Sequence, residues 1–253
     1  MKRRDLILGS SGLLLPMFAR SQAQCTQPPP TTPVTPPPTS QLTYSTNFPL
    51  TESPISEGGR WTNGGIFGKT NVQTSPGKAY GTMVAFDGKN YIDSCACLKG
   101  FGPDQTVTCT IANSGGFSGY SLELEILLRA DITADHIHVY EVDCVYGDLG
   151  INLARWDMTR ANPNAYTVLR ARQQGEAPFA TGDQVQASII GTLVTVKYKR
   201  AGATAFSTLF AHDTAGDSLR YSTGNPGIAA WNETGNAADE SLFAWTNFSA
   251  SST

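Results

Sequence analysis

Glu123 and Glu125 stand two residues apart in Leu122-Glu123-Leu124-Glu125-Ile126. Period-two alternation of apolar and polar residues belongs to a strand with one dry and one wet face, so both carboxylates project from the same side. Two carboxyls on one face can do glycosidase chemistry; a retaining enzyme holds its pair ~5–5.5 Å apart across the scissile bond. The plainer expectation is a solvated strand face balanced by Arg129.

A second candidate is Asp135-His136-Ile137-His138-Val139-Tyr140-Glu141. As a strand it puts His136, His138 and Tyr140 on one face and Glu141 on the other. His-x-His can ligate a metal, but the sequence names no third ligand, and ordinary polar surface is the favoured reading. A polysaccharide lyase needs a base and a group that neutralises the uronate carboxylate, and His138, Tyr140 and Arg155 supply those types.

Arg155-Trp156 is followed by Tyr166, Arg170 and Arg172 at even spacing. Aromatic faces stack on sugar rings, and Arg donates paired hydrogen bonds to carboxylates and hydroxyls. Tyr140, Arg155, Trp156, Tyr166 and Arg170 are therefore expected together on a concave face as ligand-binding residues. For Trp156 a place in the core is the competing expectation. Trp61, Phe243, Trp245 and Phe248 look like core or rim packing, and Trp231, in a loop, is a second-rank binding residue.

These side chains need strands to hold them. Turn signals recur at short intervals, among them Asn63-Gly-Gly65, Pro76-Gly77, Asp87-Gly88, Ser114-Gly-Gly116, Ala201-Gly202 and Asn225-Pro-Gly227. Between the turns lie β-type runs at 66–74, 78–85, 106–112, 120–129, 135–145, 150–156, 165–172, 184–190, 192–199, 204–210, 226–231 and 242–249. Many strands with hardly a 3.6-period segment predict an all-β, two-sheet antiparallel jelly-roll sandwich over 41–253.

Composition narrows the partners. Charged residues make up 15% of the chain and the formal net charge is −3. No basic patch suits nucleic acid, and no polybasic or amphipathic helix suits a membrane surface. Cys95, Cys97, Cys109 and Cys144 allow three pairings that spacing cannot decide between; one bridge, Cys97–Cys109 across a hairpin, is the expectation adopted. Zinc-type Cys-x2-Cys pairs with His at ligand spacing are absent from the sequence.

The first residues, Met1-Lys2-Arg3-Arg4, precede an apolar stretch ending near Phe18 and then Ser21-Gln22-Ala23. This is the pattern of a twin-arginine signal peptide, 1–23, cleaved after Ala23, and it places the protein in the periplasm or outside the cell. Residues 24–40 form a Pro/Thr-rich linker of extended, polyproline-like character. Twin-arginine cargo folds before export in a reducing compartment, so the fold should not depend on disulfides.

The C-terminal half carries a more specific pattern. Thr181-Gly182-Asp183-Gln-Val185-Gln-Ala187-Ser-Ile189 is followed by Gly191-Thr-Leu193-Val194-Thr-Val196, then by Gly224-Asn-Pro-Gly227-Ile228, and the chain closes on Phe243-Ala-Trp245-Thr-Asn-Phe248. In this order the pieces resemble the concanavalin A-like lectin/glucanase superfamily in its LamG-like jelly-roll branch. The resemblance covers most of 42–250, including Trp61 and the strands after it. The fold hosts lectins, glycosidases, lyases and adhesion modules.

Against the glucanase strand of that superfamily, Glu-x-Asp-x-(x)-Glu, residues Glu123 and Glu125 fit the first two positions, and Leu127 and Leu128 stand where the last Glu should be. The superfamily's alginate-lyase strand motifs are not visible. Related jelly rolls often hold a structural calcium ion, for which Asp213, Asp217, Asp239 and Glu240 are available without a recognisable ligand spacing. The first expectation is a secreted, lectin-like module that binds a polysaccharide or oligosaccharide without catalysis. The alternative is an enzyme on an extracellular polysaccharide: a lyase through His138, Tyr140 and Arg155, or a divergent glycosidase through Glu123 and Glu125. A third is an adhesion domain on a proline stalk.

Overall fold

Alternating residues and glycine turns build fifteen strands in the computed structural model, which describes residues 41–83, 93–116, 122–146, 150–171, 179–232 and 240–253. The expected signal peptide and linker, Arg172 and Asp239 lie outside the described residues. In chain order the strands are β1 (Leu42–Thr46), β2 (Thr62–Asn63), β3 (Val72–Ser75), β4 (Lys78–Gly81), β5 (Ser94–Cys97), β6 (Gln105–Asn113), β7 (Leu122–Ile132) and β8 (His136–Val145). They continue as β9 (Ile151–Thr159), β10 (Tyr166–Arg170), β11 (Gln184–Ile190), β12 (Leu193–Lys199), β13 (Ser207–Asp213), β14 (Asn225–Asn232) and β15 (Phe243–Ser252).

Two antiparallel sheets result. The eight-stranded sheet runs β13-β12-β11-β6-β15-β4-β3, with β1 also on β15; the seven-stranded sheet runs β10-β9-β8-β7-β14-β5-β2. The sheets are open and stacked, a jelly-roll sandwich as the strand pattern predicts. Inward residues of both sheets share one core: Leu122, Leu124, Ile126 and Val142 from one, Val107, Ile111, Val185, Val196 and Trp245 from the other. Burial of such aliphatic side chains contributes ~1.5–3 kcal/mol each. Trp61, Phe243 and Phe248 lie in the same core.

The Gly-Asp motif has a clear physical role. Asp183 is fully buried at the start of β11 and accepts hydrogen bonds from Ala180 N (2.9 Å), Ala201 N (2.8 Å), Arg200 Nη1 (3.0 Å) and the Tyr198 hydroxyl. It closes the far end of the β11–β12 hairpin, whose near end turns at Gly191 with φ +57°.

Two expectations need correction. β1 and β5 went unread because Leu-Thr-Tyr-Ser-Thr and Ser-Cys-Ala-Cys are short and rich in small or polar residues; pairing with β15 and β14 places them, and β5 is buried along its whole length. The Cys97–Cys109 bridge is absent, since Cys95, Cys97, Cys109 and Cys144 are all free. Cys97 lies in an apolar cluster on the outer side of the seven-stranded sheet, while Cys109 sits between the sheets on β6. The two residues belong to different layers.

Candidate functional site

The outer face of the seven-stranded sheet carries the site. Along β7, Leu122, Leu124 and Ile126 turn into the core, so Glu123 and Glu125 turn outward. Antiparallel register sets Glu125 opposite Asp143 on β8 and Ala229 on β14, and Asp143 opposite Asn152 on β9. Glu123 stands opposite Trp231, and Trp156 stands opposite Tyr166 on edge strand β10. Directly opposite residues have Cβ atoms ~4.5–5.5 Å apart, so these rows are contiguous.

The rows enclose a pocket of about 390 Å³. Tyr166 and Val168 on one edge and Trp231 on the other form its apolar walls, and Trp156 and Met158 its floor. Glu123, Glu141, Asp143, Asn152, Lys69 and Asp93 supply its polar lining. Tyr166 and Val168 are exposed, Trp231 is half-buried and Trp156 is buried. The polar groups hold one another in place. Trp156 Nε1 donates to Glu141 Oε2 (2.7 Å), Asn152 Nδ2 donates to Asp143 Oδ2 (2.9 Å), and Lys69 Nζ lies 3.7 Å from Asp93 Oδ2.

Glu125 lies behind this lining, fully buried; among the described residues neither carboxyl oxygen meets an N–H or alcohol donor, and its hydrogen-bonding neighbour is the Glu141 carboxyl. Burial, followed by the charges of Glu141, Asp93, Asp143 and Glu123, pushes its pKa well above the usual carboxylate range. Glu141 is pushed the same way by burial and then by Asp143 and Asp93, with the Trp156 indole and Glu125 opposing. Two adjoining carboxyls that cannot both ionise retain a proton between them. The expected solvated face is thus corrected at Glu125. Nor does Arg129 balance it: a bulge in β7 turns the guanidinium away to Pro103 O (2.8 Å), Tyr221 O (2.9 Å) and Gly191 O (2.7 Å).

The structure divides the expected binding face in two. Trp156 and Tyr166 are on the pocket side. Tyr140 and Arg155 are opposite each other on the inner side, both buried. The Tyr140 hydroxyl accepts from Tyr221 N (3.1 Å), and Arg155 Nη1 donates to Leu219 O (2.7 Å), so both fasten the segment that contains Leu219 and Tyr221. His138 is on that side too, stacked on Tyr221 at 4.9 Å and 3.4 Å from Asp157 Oδ1. The grouping of His138, Tyr140 and Arg155 is therefore real, but it lies on the other side of the sheet from the pocket.

Adjacent Arg155 and Trp156 had to point to opposite faces, because side chains alternate along a strand. Arg170 is also on the inner side, its guanidinium 4.1 Å from the centre of the Phe210 ring. A register shift between Val168 and Arg170 breaks the even spacing that relates it to Tyr166. Trp231, Val168, Asp93 and Asn152 are pocket residues of greater weight than their sequence context suggested. Of the carboxylates considered for calcium, the three described ones have other partners: Asp213 accepts from Ala215 N (2.9 Å), Asp217 pairs with His212 (3.1 Å), and Glu240 accepts from Met83 N (2.6 Å). No three His, Cys, Asp or Glu among the described residues are placed to hold a metal ion.

No family model matches the sequence, and no curated protein matches it. Solved structures do. A mutant of the GH43 protein BlXynB from Bacillus licheniformis matches with a TM-score of 0.51 at 11% identity, over 83% of this chain and 39% of that one. The carbohydrate binding module CBM66 from Bacillus subtilis matches with a TM-score of 0.46 at 15% identity, over 79% of this chain and 96% of that one. The VIP36 exoplasmic/lumenal domain in its Ca2+/Man3GlcNAc-bound form matches with a TM-score of 0.49 at 8% identity, over 79% and 88%. Identities this low speak to backbone arrangement alone. Two stacked antiparallel sheets in this strand order make the fold a concanavalin A-like jelly roll.

Proposed function

We propose that this chain is an exported glycan-binding module whose site is the pocket on the outer face of the seven-stranded sheet. One observation carries the reading. An open, preformed pocket of about 390 Å³ combines aromatic walls, Tyr166 and Trp231, with closely set carboxylates and an amide. A sugar ring needs both: an aromatic face for its C–H side and fixed acceptors for its hydroxyls. The volume falls in the range of small-ligand sites.

The test is titration calorimetry of the full chain with a panel of neutral, amino and uronate oligosaccharides. Trp231→Ala and Tyr166→Ala should each weaken binding by about tenfold, equivalent to ~1.4 kcal/mol. Unchanged affinity in both variants removes the pocket from consideration. Trp156→Ala is a poor test, because the loss of a buried Trp costs about 3–5 kcal/mol of stability. Export through the twin-arginine route is part of the proposal, and a mature N-terminus at Gln24 after secretion would support it.

One observation favours a hydrolytic second reading. The Glu141 carboxyl lines the pocket and burial pushes its pKa well above the ordinary carboxylate range, the direction a general acid requires, and Glu123 lines the same pocket. New reducing ends from a glycan that binds the pocket would establish it. Unsaturated ends from a polyuronate would instead point to the His138, Tyr140 and Arg155 side.

A further inference from the structure

The chain has three histidines, and all three gather around one segment. Residues 217–222 follow the 3-10 turn Thr214–Gly216 and cross the inner side of the seven-stranded sheet as a strap between β13 and β14. At one end His212 Nε2 lies 3.1 Å from Asp217 Oδ1. At the other, the His138 ring stacks on Tyr221 at 4.9 Å, and the His136 ring stacks on His138 at 4.2 Å.

Side chains fasten this strap. Among the described residues, 218–222 make no backbone-to-backbone hydrogen bond. The Tyr140 hydroxyl and the Arg129 and Arg155 guanidiniums hold the backbone of Leu219 and Tyr221. The Tyr221 hydroxyl is within donating distance of Trp156 O (2.8 Å) and Asp157 Oδ1 (3.2 Å). A segment without a backbone ladder opens more easily than the sheet beneath it.

His138 stands where a proton disturbs these contacts. Register places Asp131 of β7 and Asp157 of β9 opposite it, while His136 of its own strand and Tyr221 of the strap cover its ring. Arg129, Tyr140 and Arg155 complete the charged and titratable groups around the Tyr221 end. Asp157 Oδ1 lies 3.4 Å from His138 Nε2, and it is the same oxygen that faces the Tyr221 hydroxyl. A charged imidazolium competes with that hydroxyl for it. Burial, followed by the neighbouring His136, pushes the His138 pKa below the ordinary histidine value, against the pull of Asp157 and Asp131. With the strap lifted, the ring meets water and returns toward about 6.5. The lifted state therefore takes up the extra proton, and a fall in pH favours it. At His212 protonation acts in the other direction, because it strengthens the pair with Asp217 and keeps that end down.

We propose that residues 217–222 form an acid-released strap, in which protonation of His138 below about pH 6.5 frees the Tyr221 end while the Asp217 end stays anchored. Release widens the cleft of about 710 Å³ that Leu219, Arg220 and Tyr221 line together with Arg129 and Gly191. The strap behaves this way whatever the pocket on the outer face binds.

Amide hydrogen exchange of the full chain, followed by NMR and divided by the intrinsic rate at each pH, tests this. The Tyr221 N–H, held by the Tyr140 hydroxyl, reports the releasing end, and the Asp217 N–H, held by Thr214 O (3.1 Å), reports the anchored end. The Ile111 N–H, held by Asp183 O (2.8 Å), reports the core. Between about pH 7.5 and about pH 5 the protection of Tyr221 should fall at least about threefold, and by at most about tenfold per pH unit, the limit for one proton. Protection of Asp217 and Ile111 should hold. His138→Phe keeps a ring on Tyr221 without a titrating proton and should flatten the Tyr221 profile. The His138 ring signal, identified by its loss in that variant, should titrate below about 6.5 in the wild type. A flat Tyr221 profile in the wild type, a fall shared equally by Asp217 or Ile111, an unchanged fall in His138→Phe, or a His138 midpoint at or above the ordinary value each overturns the inference.

Discussion

At the scale of single residues, Glu125 is the group whose environment differs most from its sequence context. Alternation with Leu124 and Ile126 correctly predicts an outward carboxylate, but cross-strand neighbours, not its own strand, decide whether that face is wet. The pH consequence has a definite sign. Unfolded, Glu125 loses its proton near the ordinary value of about 4.3. Folded, it keeps the proton to higher pH because burial and neighbouring acids disfavour the anion. Between those two values the folded state holds more protons than the unfolded, so stability falls as pH rises. Glu125→Gln removes that titration and supplies an amide N–H. The variant should melt above the wild type at about pH 7–8, and the gap should close toward pH 4, at a rate of at most about 1.4 kcal/mol per pH unit. Thermal melts across this range decide it. A gap constant with pH would mean that Glu125 titrates normally.

At the scale of elements, the strands were legible and their irregularities were not. Long alternating runs such as β7, β8, β11 and β12 declare themselves through periodicity. The bulges at 128–131 and 168–170 leave no such trace, yet they decide where Arg129 and Arg170 point. The second bulge is why Arg170 parts from Tyr166, whereas Tyr140 and Arg155 part from Trp156 by simple strand alternation. Arg129 takes φ +50° in its bulge, and Gly224 (φ +129°) packs against its carbonyl so closely that a Cβ would lie 2.2 Å from the oxygen. The contact is with backbone and has no flexible end to yield. Gly224→Ala should therefore cost about 2–4 kcal/mol, from steric overlap and from the disfavoured φ together. Urea unfolding should show a lower midpoint at unchanged slope. A loss below about 0.5 kcal/mol would show that the bulge can move aside. Asp183→Asn tests the hairpin clamp in the same assay. A buried carboxylate with several charge-assisted partners is worth about 2–4 kcal/mol when it is replaced.

At the scale of the whole molecule, the described residues are held together by layer packing, and the four cysteines among them are free. Cys109 and Cys144 lie in the core between the sheets, and Cys95 and Cys97 in the outer cluster of the seven-stranded sheet. All four are at most 2% exposed. Burial raises each thiol pKa, that of Cys97 to about 12, so hardly any thiolate exists at neutral pH and no reagent can reach it. A fold of this kind can be completed in a reducing cytoplasm, which is what the twin-arginine proposal requires. In the native protein, a thiol-reactive disulfide reagent should leave these four cysteines unmodified. In denaturant without reductant, all four should react, and added reductant should leave the melting temperature unchanged. Two missing thiols in the denatured, unreduced protein would reveal a bridge formed after export and would overturn a disulfide-independent fold.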